Sequence, residues 1–322
     1  MTKARKYPVL ALLLAVAVAA LAVLPFVFPT GDTGQTGMLM RPEWLSHTAA
    51  FVIIAVTALS LGYVNSNCFL FASDSRLLYL PYLLTVLMLP GVTVLTVAHI
   101  PALLFVWCIF YTLRYVNSEN HRLYYLFVAA LTSSTVSLII PQMLAVCVFV
   151  LLYCIYTRGQ DLLRMCMTYL SAAVLPWIYL AAWKYLSGDG TMADYLTWFG
   201  QALVPRRPVF SEMSTGTLVY AGFMFLLCLR SLVFTVSRGR ERNKAQKNSF
   251  GLSVALSVVV FIIWSAAGGH LSHLFWITAA VPLSFTVFDF LSGGRSVEVR
   301  IFLTVLLVLT AALRFLEYFP FI

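Results

Sequence analysis

The chain has 322 residues, of which 61% are hydrophobic and only 10% are charged. Soluble domains carry about 25% charged residues, so this composition excludes a water-soluble globule. Lipid must replace water over most of the surface, and a helix satisfies its backbone polar groups internally in lipid. We therefore expect residues 1–322 to form a single all-α domain, a polytopic bundle of transmembrane helices.

Apolar runs of membrane length predict about eleven spans, within a range of ten to twelve. The first, 8–28, follows a basic start, and no small-residue cleavage site comes after it, so we interpret it as a retained helix rather than a signal peptide. Pro90-Gly91 predicts a kink or break in the third. The predicted spans are 8–28, 47–64, 77–98, one ending at 114, 123–140, 141–156, 165–183, 218–236, 250–267, 274–290 and 301–318.

The net charge of +9 would suit an acidic partner such as nucleic acid, but its distribution favours membrane topology. With a cytoplasmic N-terminus and an outside C-terminus, sixteen of the 21 Lys and Arg residues fall in inner connectors. One of these connectors is the basic loop 237–249. We therefore predict no nucleic-acid partner. The five basic residues on the outer side are Arg41, Lys184, Arg206, Arg207 and Arg314.

Polar groups inside the spans are few. The hydroxyls of 132–135 lie in the first arm of a predicted short hairpin, 123–156, and are expected to bond back along the helix or to a neighbouring helix. Arg230 and Asp289 lie near predicted span ends, where charged side chains reach the interface at small cost. The six cysteines show no CxxC or His-Cys pattern, so buried, unreactive thiols are expected rather than a zinc or redox site.

The longest polar interruption is 184–212, which this topology places outside. Met192, Tyr195, Leu196, Phe199 and Leu203 follow helical spacing and predict an amphipathic helix in the membrane interface. Thr191 with Asp194 resembles a capping box at its start, and Pro205 ends it.

Arg206 and Arg207 follow this helix directly, between two prolines. Because arginine binds phosphate through two parallel hydrogen bonds, one hypothesis is a site for a lipid-linked phosphate or diphosphate that also uses Lys184. The alternative is an ordinary interfacial anchor that contacts headgroups or Glu212.

The other outer loops supply the remaining candidates. In the first loop, Asp32 or Glu43 would serve as a general base, with Arg41 near the phosphate; solvated acids of a Gly-rich loop are the alternative. His270 and His273 are three residues apart in a short outer turn, where they would add phosphate contacts or a proton relay. No further Cys, Asp or Glu lies beside them, so we predict no metal site.

The layout resembles the multi-span C-type glycosyltransferases. The resemblance rests on an acid in the first outer loop, the hairpin YYLFVAALTSSTVSLIIPQMLAVCVFVLLYC, the following RGQDLLRMCMTYLSAAVLPWIYLAAWKYLSGD and the late HLFWITAAVPLSFTVFDFL. The whole chain is also similar to a family of polytopic proteins from Gram-negative bacteria. The chain departs from the enzymes in having single acids, Asp32 and Glu43, instead of a pair, and His270 and His273 instead of a late Arg.

The resemblance implies an inner-membrane, multi-pass bacterial protein of envelope glycan or lipid-linked sugar metabolism. In that interpretation a polyprenyl phosphate or diphosphate binds at the outer leaflet, and no soluble cofactor is needed. One alternative is a non-catalytic subunit that packs against a membrane-protein partner. A small-molecule transporter or flippase is the third, although the spacing of the spans shows no internal repeat.

Overall fold

The computed structural model describes residues 43–68, 78–87, 92, 94–118, 122–158, 161–188, 190–204, 215–237, 243–266, 272–294 and 296–318. Within these ranges all regular structure is helical, which confirms the all-α fold class. The predicted first span, 8–28, lies outside the described residues. The helices are α1 Glu43–Cys68, α2 Tyr79–Leu87, α3 His99–Asn117, α4 Leu123–Ile139, α5 Leu144–Arg158, α6 Leu162–Ser187, α7 Met192–Leu203, α8 Thr215–Ser237, α9 Lys244–Ala266, α10 Ser272–Gly293 and α11 Ser296–Tyr318.

Seven helical segments in the described part are long and apolar enough to cross a membrane. A hydrocarbon core of about 30 Å takes about 20 helical residues, so the prediction of a membrane protein is confirmed at the level of length and composition. The 17-residue α4 is slightly short for this. The seven segments are Trp44–Cys68, His99–Asn117, Pro141–Arg158, Leu162–Ser187, Leu218–Ser237, Lys244–Ser265 and Phe275–Gly293.

The predicted third span is broken. Its helix, α2, has nine residues and ends at Leu87, and residues 94–98 are not helical. Side chains satisfy this irregular backbone: Ser46 Oγ accepts from the Leu95 N–H at 2.9 Å, and the buried His99 imidazole contacts the Val92 carbonyl through Nε2 at 2.9 Å. Because a carbonyl only accepts, Nε2 carries the hydrogen. Irregular backbone is tolerated in a membrane when it is buried in this way.

Helix α10 is the central helix of the bundle. It packs against α2, α3, α8 and α9, and 94% of the residues in its most apolar 18-residue stretch are buried inside the protein. A helix that is apolar on all sides is suited to such a position. Thr286 links α10 to two neighbouring helices. Its carbonyl accepts a hydrogen bond from the Ser231 hydroxyl of α8, and its hydroxyl contacts Ser257 Oγ of α9 at 2.9 Å.

One end of the bundle, here called the basic end, gathers the C-termini of α3 and α5 and the start of α9. The Arg158 guanidinium donates to the carbonyls of Val116 at 2.8 Å and Ser118 at 2.6 Å. The Asn248 side-chain amide donates to Asn117 Oδ1 at 3.3 Å. Helix α9 begins at Lys244, so the last six residues of the predicted loop 237–249 are helical, a difference caused by this packing of its first turn.

The same end holds two carboxylates. Arg230 pairs with Glu298 at 2.7 Å and lies over the Phe290 ring, 5.2 Å from its centroid. Asp289 was expected to reach the interface but is 8% exposed. It receives a hydrogen bond from the Thr235 hydroxyl instead, so packing against α8 has replaced the predicted contact with the interface.

Candidate functional site

The structure describes few of the predicted site residues. Lys184 is described in full, in the last turn of α6. Glu43, the first residue of α1, and His273, in the first turn of α10, are described only in their backbone. Their roles stay predictions. Five further residues lie outside the described residues: Asp32, Arg41, Arg206, Arg207 and His270.

The short α4–α5 hairpin creates a depression at the end of the bundle opposite the basic end. Ser134 donates to the Ala173 carbonyl at 2.6 Å and accepts from the Trp177 indole at 3.2 Å, which sets α4 beside the middle of α6. From these contacts α4 continues to Ile139 but α6 continues to Ser187. At 1.5 Å per residue, α4 therefore ends about 8–13 Å short of the end of α6.

The hydroxyls of 132–135 are structural, as predicted. Thr132 and Thr135 each donate to the carbonyl four residues earlier at 2.8 Å. Ser133 contacts the Tyr169 hydroxyl of α6 at 3.2 Å, and Ser134 bonds to α6 as above. These bonds join the hairpin to α6, and the end of that pair opposite the basic end supports the candidate site.

The chain turns from α6 into α7 through Gly188 and Gly190, which have φ values of 70° and 76°. Only glycine adopts such angles without strain. The predicted capping box is present: Thr191 Oγ1 accepts from the Asp194 N–H at 3.2 Å, and the Asp194 carboxylate accepts from the Thr191 N–H at 2.9 Å. The Thr191 bonds, assisted by the charge of Lys184, lower the pKa of Asp194.

Helix α7 fills the depression and is held mainly by aromatic contacts. Phe199 is its one buried side chain in the described region, and it packs edge-on against Trp177 with ring centroids 4.9 Å apart. The Tyr195 hydroxyl donates to the Leu138 carbonyl, near the end of α4, at 2.6 Å. Burial in this contact raises the pKa of Tyr195 to about 12.

The packed face of α7 differs from the predicted apolar stripe. Tyr195 contacts the hairpin and Phe199 packs against Trp177, but Leu196 and Leu203 are 49% and 40% exposed. At 100° per residue, Leu196 and Leu203 flank the packed side chains on one side, and the exposed Trp198 flanks them on the other. Helix α7 therefore has one apolar side, and only the middle of that side is packed.

Gln142 is a site residue that sequence reasoning missed. It lies in the hairpin turn and is 9% exposed, and its Nε2 donates to the Ala202 carbonyl in the last turn of α7 at 2.9 Å. Its Oε1 is buried and has no hydrogen-bond partner in the described part of the chain. The only sequence signal is its position after Pro141, between two apolar runs.

Across the described ranges, no group of three or more His, Cys, Asp or Glu has metal-binding geometry. All six cysteines are free, and five of them are buried, with Cys166 half-buried. The site therefore offers hydrogen bonds, aromatic surface and nearby cationic side chains.

Comparison of the chain with protein families, curated proteins and solved structures found no match. Its function is therefore argued from the geometry of α7 and the hairpin.

Proposed function

We propose that this chain is a bacterial inner-membrane protein that binds a polyprenyl phosphate or diphosphate at the outer leaflet, in envelope glycan or lipid-linked sugar metabolism. The observation that carries the proposal is α7, whose apolar side packs on the hairpin and α6 through Tyr195 and Phe199 and leaves Leu196, Trp198 and Leu203 exposed beside them. Exposed apolar side chains of this kind suit the boundary between headgroups and acyl chains.

The charge beside α7 supports a phosphate ligand. Val204, the last described residue before Arg206 and Arg207, is 62% exposed. A helix anchored in the interface holds the residues that follow it at headgroup depth, where arginine binds phosphate oxygens in pairs. Lys184, at the end of α6, adds a third cation on the same side of the bundle.

The outward position of α7 follows from the charge pattern. The basic end carries Arg114, Arg158 and Arg230, and α7 lies at the opposite end. If the basic end is cytoplasmic by the positive-inside rule, α7 faces outward. Ten to twelve spans with the N-terminus inside and the C-terminus outside agree with this arrangement.

In the enzymatic form of the proposal the ligand is a glycosyl donor. Asp32 or Glu43 takes a proton from an acceptor hydroxyl, whose oxygen forms a bond to the anomeric carbon. The bond from that carbon to the phosphate oxygen breaks, and the polyprenyl phosphate leaves with the electron pair. Arg206 and Arg207 stabilise its charge, and Arg41, His270 and His273, in loops predicted to be on the same side, add contacts to the phosphate.

Two observations favour other functions. Helix α6 is buried along one narrow row only, Met165, Tyr169, Ala172 and Pro176, and a partner subunit would cover the remaining surface. The break after α2 favours a transporter, since broken helices line transport sites. Two polar side chains lie close to this break, since the Tyr220 hydroxyl contacts Thr85, in the last turn of α2, at 3.4 Å.

Lipid mass spectrometry of the gently purified protein tests the proposal. We expect a co-purifying polyprenyl-linked lipid, and its loss in an Arg206→Ala, Arg207→Ala double variant. Removing charge-assisted contacts should weaken binding by about tenfold to a hundredfold. Arg164→Ala is the matched control, because Arg164 is exposed at the other end of α6.

Absence of such a lipid from the wild-type protein, or equal loss in the control, contradicts the proposal. The enzymatic form requires in addition that Asp32→Asn, Glu43→Gln or the pair of substitutions abolishes transfer with folding unchanged. Retained transfer in all three contradicts it. A partner that co-purifies in place of lipid supports the subunit function.

A further inference from the structure

A row of aromatic side chains crosses the surface of three helices, towards the basic end. Trp107 and Tyr111 of α3 form its middle and are half-buried. Tyr63 of α1 and Tyr124 of α4 form its ends and are 50% and 61% exposed. Neighbouring ring centroids along the row are 6.0, 6.1 and 6.2 Å apart. Tyr and Trp concentrate where membrane helices pass from acyl chains to head groups, so this aromatic row indicates a lipid-facing surface near that boundary.

One arginine beside the aromatic row is held in place by its neighbours. The Arg114 guanidinium lies over the Phe110 ring, 5.3 Å from its centroid, and donates to Asn67 Oδ1 at 3.4 Å. Phe110 is buried and packs edge-on against Trp107 and Tyr111, with ring centroids 5.5 and 5.2 Å away. The half-buried Arg114 side chain is therefore restricted before any ligand binds, and a restricted side chain loses less entropy on binding.

The spacing along α3 matches the order of groups in a phospholipid. Trp107, Tyr111 and Arg114 follow one face of the helix at i, i+4 and i+7, with Arg114 in its last turn. At 1.5 Å per residue, Tyr111 lies about 4–5 Å and Trp107 about 10 Å deeper along the helix than Arg114. A phospholipid whose phosphate lies at Arg114 therefore has its glycerol and the first part of its acyl chains beside these two rings.

The charge of this end favours an anionic head group. In the predicted topology the connectors on this side carry sixteen Lys and Arg residues against six Asp and Glu residues. Basic surfaces of this kind attract phospholipids with a net negative charge. A zwitterionic head group carries its own cation beside the phosphate, so it gains less from the same surface.

We propose that Arg114 and the aromatic row form a binding site for one anionic phospholipid of the bilayer. The guanidinium has paired N–H groups that suit two phosphate oxygens, and Trp107 and Tyr111 pack against the acyl chains. The site lies at the opposite end of the bundle from α7. It does not depend on the proposed function.

Native mass spectrometry of the full-length protein in detergent tests the site. The probes are phosphatidylglycerol and phosphatidylcholine with the same acyl chains. We expect tighter binding of phosphatidylglycerol by the wild-type protein, and a loss of about tenfold in that affinity in Arg114→Gln, the value of one hydrogen bond to a charged group. Arg164→Gln is the matched control, since Arg164 is an exposed arginine at the same end, at the start of α6, and it should change the affinity less than about twofold.

A second measurement locates the lipid and needs no variant. Phosphatidylglycerol that carries a photoreactive diazirine near the top of one acyl chain is cross-linked to the wild-type protein, and the labelled peptides are identified by mass spectrometry. We expect labelling to concentrate in peptides that contain Trp107, Tyr111 or Tyr124. Excess unlabelled phosphatidylglycerol should suppress it, and phosphatidylcholine should not.

Three results would overturn the proposal. Equal affinity of the wild-type protein for the two lipids removes the preference for an anionic head group. An equal loss in Arg114→Gln and Arg164→Gln means that the charge of the whole end, and no particular site, attracts the lipid. Labelling of the exposed surface of α6 as strongly as the aromatic row means that the lipid is part of the general annulus. None of these results bears on the polyprenyl lipid proposed at α7.

Discussion

Phe199→Ala should detach α7 from the hairpin without unfolding the bundle. Phe199 is 6% exposed and packs against Trp177. Burial of a phenyl side chain contributes about 1.5–3 kcal/mol, and an edge-on aromatic pair adds about 0.5–1.5 kcal/mol. The substitution therefore removes about 2–4 kcal/mol from the docking of α7. The remaining attachments in the described region are the hydrogen bonds of Tyr195 and Gln142 and the looser Tyr195–Trp177 ring contact, and each contributes only about 1 kcal/mol.

Hydrogen exchange measured by mass spectrometry tests this reasoning. Amide protection in peptides covering 192–203 should fall by about 30-fold to several hundredfold, and peptides from α10 should stay protected. Leu196→Ala is the matched control, since this apolar residue of the same helix is 49% exposed. The reasoning is refuted if the control loses as much protection as Phe199→Ala, or if α10 loses protection together with α7.

Three further predictions concern other contacts. Gly294→Ala should lower the free energy of unfolding by about 1–3 kcal/mol in a denaturation assay, because a Cβ there would lie 2.7 Å from the Phe290 carbonyl oxygen. Gly200→Ala is the control, and it should be neutral or stabilising because the space around Gly200 is open. The pKa of Asp194 is lowered in the folded protein, so its ionised carboxylate, which caps α7, stabilises the helix when the pH is above the ordinary carboxyl pKa of about 3.9. This stabilisation is lost as the pH falls through the lowered pKa. Protection of α7 should therefore hold from about pH 7 to 5 and fall below about pH 4, and Asp194→Asn should remove that dependence. Glu298→Gln should cost less than about 1 kcal/mol, and less still in high salt, because its ion pair with Arg230 is about one-third exposed; a larger loss at high salt would contradict this.

Local sequence rules predicted helices, breaks and caps well. The Thr191–Asp194 pair is a local signal, and the structure has the capping box that it predicts. The break of the third span followed from Pro90-Gly91, although the helix ends earlier, at Leu87. Each of these features depends on residues a few positions apart in the chain.

The parts that failed depend on residues far apart in the chain. The periodicity of α7 groups Leu196 and Leu203 with Phe199, but which part of that stripe packs is decided by the hairpin, through the bond from Tyr195 to Leu138. Asp289 becomes buried because Thr235 of α8 reaches it. Gln142 has only a weak sequence signal, its position after Pro141, because its bond to Ala202 forms only when α7 packs over the hairpin turn.

The candidate site depends on a difference in helix length. Had α4 matched the 26 residues of α6, the hairpin turn would reach the same level and leave no depression for α7. Because the turn ends short of α6, α7 packs over the end of the hairpin through Tyr195 and Phe199, and the apolar residues that flank them stay exposed. The same position sets Gln142 beneath the last turn of α7, where its amide donates to the Ala202 carbonyl.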